Sequence, residues 1–426
     1  MFTWRVSGVK CMAVLASILS AIVLVFCSIC ILRSIISIIG IIAKSYSRVW
    51  VKPGIKRLNP HRLVDVLIVI PLYLECKRDI EVVLESIARQ VYPKDHIMVV
   101  IVVEESDRET LSNVYSVLYG SRVIRSIRDR VIVLKKPPPR TSKASAVNYA
   151  VKTVNYGSVV CILDGGDILK DRYHIARAVT LVNEGYDIIG SQVLRVGSSI
   201  IGKLSYLDTL VWVKIGLPST MHILGVPLVS GEGLFIRRDV LERIGGLPQQ
   251  ILAEDAYLAI PVFNYNFKVG FLASRVYEST PANIANLVKQ RLRWYRGHLQ
   301  CLKLALESRG ISLVGKVKLI LAYSSPIVVA SIAIAYTYVA LTLVTSTYST
   351  IPLALSLLVI VSTYTAPLYI LGITPRRLRK ILILLPLYWL FLSVISVLTL
   401  IPTLKIEWYK TVRSRHPLHY KLARAT

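Results

Sequence analysis

Acidic side chains are in short supply in this sequence: 25 aspartates and glutamates face 52 lysines and arginines among 426 residues, a formal net charge of +27. A surface that basic suits nucleic acid, anionic lipid or a nucleotide diphosphate. No segment matches a nucleic-acid-binding module, so no nucleic-acid partner is expected. Cysteine is sparse and scattered (Cys11, Cys27, Cys30, Cys76, Cys161, Cys301), and Cys27 and Cys30 lie inside a lipid-like run. Neither a disulfide framework nor a metal–thiolate cluster is expected. The long apolar runs hold almost no charge, which argues against a solute pathway through a membrane. The first of them is too long for a signal-peptide core and has no small-residue cleavage site behind it.

What is abundant is hydrophobic surface. Hydrophobic residues make up 54% of the chain and the mean hydropathy is +0.56, more than a soluble domain carries. An integral protein of the cell membrane is expected. Residues 11–31, behind Arg5 and Lys10, have spanning length, and the apolar character continues past Arg33 to Ala43, as one long helix or as a tight hairpin of two spans. A basic connector follows (Lys44, Arg48, Lys52, Lys56, Arg57, Arg62), which predicts that the next domain is cytoplasmic. Runs 319–344, 351–372 and 381–402 also have spanning length. Here the charge rule conflicts with the count. Three spans would put the basic tail (Lys405, Lys410, Arg413, Arg415, Lys421, Arg424) outside, whereas its charge says inside. One run being re-entrant or interfacial would remove the conflict, with Pro326, Pro367 and Pro386 as possible break points. The expected organisation is a membrane anchor and connector over 1–62, a water-exposed domain over 63–300 and a second membrane region with a basic tail over 301–426.

Between the membrane parts, short β-branched runs alternate with amphipathic helical stretches, the pattern of a doubly wound, mostly parallel α/β sheet. Ligands bind such sheets outside the carboxyl ends of the strands. The polar residues there are Pro71 to Glu75 after the first run, Glu104 and Glu105 after the second, able to accept hydrogen bonds from a base or ribose, and Asp164-Gly-Gly-Asp167. Two carboxylates separated only by glycines suit a hard cation such as Mg²⁺ or Mn²⁺ bridging to a diphosphate. They are equally good turn chemistry. Lys143 precedes a helix and is suited to a phosphate, or to plain solvation. Gly231 and Gly233, beside Arg237 and Arg238, permit close backbone approach or form a turn.

Segment 230–300 carries the most information. Glu254 and Asp255 open a helix-like run, where acidic pairs are common in any case. Further on, Gln290, Arg293 and Trp294 stand at i, i+3 and i+4 and share one helix face, suited to gripping a polar, ring-shaped or phosphorylated ligand.

Taken in order, these pieces resemble the membrane-integrated glycosyltransferases of family 2, the GT-A group that includes cellulose and hyaluronan synthases. The resemblance covers about residues 64–300. It rests on the strand with Pro71, the acidic end at Glu104-Glu105, Asp164, Gly231 to Gly233, Glu254-Asp255 and the Gln-x-x-Arg-Trp signature at Gln290, Arg293 and Trp294. Lys143-Ala-Ser-Ala-Val-Asn148 is similar to the family's Lys-Ala-x-Ala-x-Asn helix start. AEDAY, VYESTP and QRLRWYRG are most similar to egghead-type β-mannosyltransferases. The resemblance implies a GT-A domain with transmembrane helices at both ends and transfer of a hexose from a UDP- or GDP-sugar to a lipid or polysaccharide acceptor. Asp255 would be the base, Asp164 would hold nucleotide and metal, and Glu104 or Glu105 would read the nucleoside. Gln290, Arg293 and Trp294 would line the acceptor and diphosphate site. With a single base and Glu254 pointing elsewhere on its helix, inversion to a β-glycosidic bond is expected. The sequence departs from the family's Asp-x-Asp, since Gly166 holds the second acidic position and Asp167 follows it. The competing expectation is a basic membrane scaffold with an inactive domain of this type.

Overall fold

The computed structural model describes residues 2–54, 62–139, 141–346 and 349–414, with side chains from Ser17 onward. Lys56, Arg57, Arg415, Lys421 and Arg424 lie outside the described residues, as do the side chains of Arg5, Lys10 and Cys11.

Among the described residues nine strands make one sheet: β1 (Trp50–Val51), β2 (Val66–Leu72), β3 (Ile97–Glu104), β4 (Val131–Lys136), β5 (Val159–Ile162), β6 (Ile168–Leu169), β7 (Ile188–Val196), β8 (Leu234–Arg237) and β9 (Val269–Ser279). Their order is β1-β9-β7-β8-β5-β2-β3-β4, with β6 paired to β9. The block β5-β2-β3-β4 is parallel, β7 pairs β9 in parallel, and β8 runs antiparallel between β5 and β7. The period of two decides which helices cover which face. Val66, Ile68 and Ile70 of β2 pack with α2 (Lys77–Ala88), α3 (Arg108–Gly120) and α5 (His174–Asn183), whereas Leu67 and Val69 pack with α4 (Lys143–Thr153). Burial on both faces is why these strands read as continuous apolar runs. Each such side chain contributes roughly 1.5–3 kcal/mol. From β2 the chain moves outward to β3 and β4, then returns to the other side of β2 as β5. The crevice at that reversal is where the carboxyl ends of β2, β3 and β5 meet.

Outside the sheet domain the chain is helical. The N-terminal run is one helix, α1 (Phe2–Ile42), so the single-helix alternative is the one observed. After α6 (Ile200–Val211), the four-residue α7 (Glu254–Tyr257) and the long α8 (Ile284–Glu307) come α9 (Leu313–Tyr323), α10 (Ser325–Thr345), α11 (Thr350–Ile370) and α12 (Leu385–Thr399). Four stretches among the described residues are long and apolar enough to cross a membrane: Ser17–Ile42, Ser325–Thr345, Thr350–Ile370 and Arg376–Thr399. Run 319–344 is broken at Ser324, because Pro326 starts a fresh helix in its first turn.

The fourth stretch behaves unlike the others. Near the start of α12 Tyr388 Oη lies 3.1 Å from Ser205 Oγ on α6, and Trp389 donates to Asp208 at 3.2 Å. Near its end Ser396 Oγ donates to the carbonyl of Pro326 at 2.6 Å, in the first turn of α10. Both ends of α12 are therefore tied to neighbouring helices, α6 at one end and the start of α10 at the other. Residues beyond it return to the sheet, where Ala282 N–H bonds Val412 O and Ser414 N–H bonds Thr280 O, both at 2.9 Å. The tail therefore packs against the sheet domain.

Candidate active site

Three strand ends build the floor of the crevice. After β2, Leu74 takes a left-handed conformation (φ 49°). Its N–H bonds Asp107 Oδ2 at 2.5 Å, and the Glu75 N–H bonds Thr110 Oγ1 at 2.8 Å. Asp107 also caps α3 through the N–H of Thr110, so a helix start fixes the loop and aims Glu75 inward. Burial pushes the Glu75 carboxyl up, opposed by Lys410, whose Nζ lies 2.5 Å away. At the end of β3 Glu104 is buried, 3.4 Å from Lys136 Nζ. Its neighbour Glu105 is exposed and turned away.

Lys143 opens α4, capped by Ser142 Oγ accepting from the N–H of Ser145. Its Nζ lies 2.6 Å from Asp164 Oδ1, and Arg413 Nη2 lies 2.8 Å from Asp164 Oδ2. Burial disfavours the charged carboxylate, but these two cations outweigh it and hold Asp164 at about 2. The pairing of Asp164 with Asp167 around a cation is revised. Asp167 is fully buried, and its Oδ2 accepts the N–H of Asp164 at 2.8 Å, closing the turn on itself. Burial and then the charge of Asp164 push its carboxyl well up. Asp164 converges instead with Glu232 and Glu278, whose donor oxygens lie within 4.8 Å of one another. All three are hard oxygen donors, and Glu232 Oε2 is a buried atom with no hydrogen-bond partner. The residues thus fit Mg²⁺ or Mn²⁺. Burial and Glu278 push Glu232 up to about 7. Arg195 faces the group, with Nε 2.6 Å from Glu278 Oε2.

The opposite wall comes from segment 230–300. Asp255 Oδ2 accepts the N–H of Gly231 at 2.9 Å and Oδ1 accepts that of Ala256. Gly231 sits between the two walls: a Cβ there would lie 3.2 Å from Lys143 Nζ and 3.6 Å from Asp255 Oδ2. Gly233, with φ 63°, serves the turn instead, and Arg238 is occupied with the carbonyls of Val151, Val154, Tyr156 and Gly157. Glu254 does not point away as expected. α7 is so short that Glu254 and Asp255 both line the cavity, and burial and Asp255 push Glu254 up. On α8, Gly297 is what lets the helix approach α7, since a Cβ would meet that of Ala253 at 2.5 Å. Arg293 Nη1 donates to Leu252 O at 2.9 Å. The Trp294 ring lies against the guanidinium groups of Arg195 (4.4 Å) and Arg291 (4.7 Å). Gln290 is buried with Oε1 unpartnered.

Pro71, Glu75, Glu104, Lys143, Asp164, Gly231, Asp255, Gln290, Arg293 and Trp294 line one cavity of about 880 Å³; Glu105, Asp167 and Gly233 do not. Sequence reasoning missed Glu232, Glu278, Arg195 and Arg413. Glu278 and Arg195 stand near the carboxyl ends of β9 and β7 and were open to the strand-end argument. Glu232 lies between the two glycines already singled out. Arg413 arrives from the tail, pairing with Glu278 Oε1 at 3.0 Å, with Asp164 and with the carbonyl of Gly165.

Residues 62–297, more than half of the chain, match the family described as glycosyltransferase like family 2. The probable glycosyltransferase YdaM of Bacillus subtilis (strain 168) is 23% identical over 248 residues, 57% of this chain and 57% of the relative. The matched region thus spans little more than half of that protein's length. Among solved structures the chain is similar to the mannosyltransferase PcManGT from Pyrobaculum calidifontis, in complex with GDP-Man and Mn²⁺. The TM-score is 0.60 at 19% identity, covering 89% of this chain and 99% of that one. This likeness is one of fold, the expected GT-A sheet with its accompanying apolar helices. S. aureus TarS 1-349 in complex with UDP-GlcNAc scores lower, with a TM-score of 0.42 at 14% identity over 78% of this chain and 89% of that one.

Proposed function

The chain belongs to the glycosyltransferase like family 2, and from that premise we propose that it is a membrane-bound, inverting hexosyltransferase. It moves a hexose from a UDP- or GDP-sugar to a lipid-linked or polysaccharide acceptor and forms a β-glycosidic bond. The observation that carries this reading is that Asp255, the acidic group around Asp164 and the Gln290, Arg293 and Trp294 face line one cavity.

Two backbone N–H groups orient the Asp255 carboxylate, which takes the proton of the acceptor hydroxyl as it attacks the sugar carbon. With attack and departure on opposite faces, one base suffices and the anomeric centre inverts. Charge builds on the departing diphosphate, and Lys143, Arg293 and Arg413 bring positive charge to that end of the cavity. Mg²⁺ or Mn²⁺ held by Asp164, Glu232 and Glu278 would add charge neutralisation at the same place. Trp294, its ring held against the guanidinium groups of Arg195 and Arg291, lines the cavity beside Gln290 and Arg293 as part of the acceptor and diphosphate wall. Glu104 is suited to accept hydrogen bonds from the nucleoside. Lys44, Arg48 and Lys52 beside α1, with Arg376, Arg377, Arg379 and Lys380 after α11, support a cytoplasmic position for the sheet domain.

The test is to incubate the purified chain in nanodiscs with UDP- and GDP-hexoses, Mn²⁺ or Mg²⁺ and a lipid extract, reading products by mass. One added hexose on a lipid, or a ladder of additions, is expected. No transfer from any donor, with no nucleotide-sugar binding, would return the chain to the scaffold reading.

A further inference from the structure

The cavity does not stop at the sheet domain. Beyond Asp255 it continues between α1, α10 and α11, where Cys30, Ile38, Ile332, Val359 and Ala366 line it. Those residues belong to three of the candidate spans, so a polar site and an apolar slot share one volume.

Arg33 lines the same volume. It is the only charged residue in the stretch Ser17–Ile42 and is 9% exposed. Its Nη2 donates to Thr220 Oγ1 at 3.0 Å, while Nη1 has no hydrogen-bond partner. A guanidinium in such surroundings is costly unless an anion meets it. His298 on α8 neighbours both Arg33 and Asp255; burial keeps it neutral, lowering it to about 4, and its Nδ1 lies 2.9 Å from Ser325 Oγ. It adds no charge of its own between them.

We propose that Arg33 binds the phosphate of a lipid acceptor, a long-chain phosphate ester whose chain lies between α1, α10 and α11 and whose hydroxylated headgroup reaches Asp255. The proposal rests on the glycosyltransferase reading and deepens it by naming the acceptor's chemical class. A guanidinium matches phosphate through two parallel N–H donors, and one of its amino groups is unspent. Isoleucine, valine and alanine line the slot together with Ser34, Ser37, Ser362, Thr363 and Thr365, whose hydroxyls donate to carbonyls of their own helices; the slot therefore suits hydrocarbon rather than a hydrated polymer. A base is required only when the nucleophile carries a proton. A bare lipid monophosphate attacking through its own ionised oxygen would leave Asp255 idle, so the acceptor atom is a hydroxyl beyond the phosphate. The acceptor O–H breaks and its proton goes to Asp255. The new bond from that oxygen to the anomeric carbon forms as the bond to the diphosphate breaks, and the nucleoside diphosphate leaves with the electron pair.

Farnesyl diphosphate carries the head and a short chain, and farnesol and inorganic diphosphate are its two halves. Their binding to the full chain in nanodiscs is measured by tryptophan fluorescence. The wild type should bind the whole probe more tightly than either half. Arg33→Gln should weaken farnesyl diphosphate by about tenfold or more, leave farnesol and nucleotide-sugar binding unchanged, and be partly rescued by Arg33→Lys. Thr220→Val, which removes the side-chain tie and keeps the guanidinium, should bind like the wild type. Equal affinity in the wild type and Arg33→Gln overturns the proposal, as does a loss in Thr220→Val as large as that in Arg33→Gln, which would make Arg33 a structural tie. Competition by dioleoylphosphatidate in the disc identifies bilayer phospholipid as the source, and its absence an isoprenyl one. Failure of the glycosyltransferase reading shows separately, as absence of nucleotide-sugar binding by the wild type.

Discussion

Asp164 and Asp167 show how two neighbouring carboxyls are driven apart by their partners. Asp164 faces Lys143 and Arg413 and stays charged, whereas Asp167 is buried against a backbone N–H and is pushed toward the neutral form. His174 on α5 carries a related consequence for stability. It is fully buried, with Nε2 3.0 Å from Ser191 Oγ, and burial lowers it from 6.5 to about 4. The unfolded chain takes up this proton near pH 6.5 and the folded chain only near 4. The stability of the neutral form is therefore complete above pH 6.5 and is lost as the pH falls through 4, by up to about 3 kcal/mol. The apparent melting temperature of His174→Gln should fall less steeply than that of the wild type between pH 6.5 and 4, and equal slopes would remove His174 from the account. Asp255, Lys143 and the Gln290, Arg293 and Trp294 face were legible in the sequence because each sits in a local pattern. Glu232 and Glu278 were not singled out, since their convergence with Asp164 is created by strand pairing among β5, β8, β7 and β9.

At the scale of elements, the parallel block β2 to β5 was legible because buried strands leave continuous β-branched runs bounded by turn residues. The behaviour of α12 was not, because apolarity over a spanning length is identical whether a helix crosses lipid or lies along a protein. Its contacts with Ser205, Asp208 and Pro326 separate the two cases. They predict that the tail and the sheet domain are accessible from the same side of the membrane. In a cysteine-free background, Lys405→Cys and Tyr119→Cys, both at exposed positions, should react with an impermeant maleimide in one vesicle orientation. Ser346→Cys, between α10 and α11, should react in the other. Opposite labelling of Lys405→Cys and Tyr119→Cys would mean that α12 crosses.

Seen whole, the molecule joins a sheet with acidic strand ends to apolar helices that extend its cavity, and the tail brings Lys410 and Arg413 back to the acidic end. The +27 charge that first suggested several anionic partners includes the cations that line that cavity: Arg33 among the apolar helices, Lys143 and Arg413 at the acidic centre and Arg293 beside Glu254. No local sequence pattern announces the tail's return, since Arg413 and Asp164 are 249 residues apart. The central claim is that Asp255 is the base of an inverting transfer. It is tested most directly by comparing the wild type with Asp255→Asn, measuring sugar transfer and nucleotide-sugar binding on the same preparation. Transfer should fall by about a hundredfold or more with donor binding retained; transfer persisting at the wild-type rate would contradict the claim.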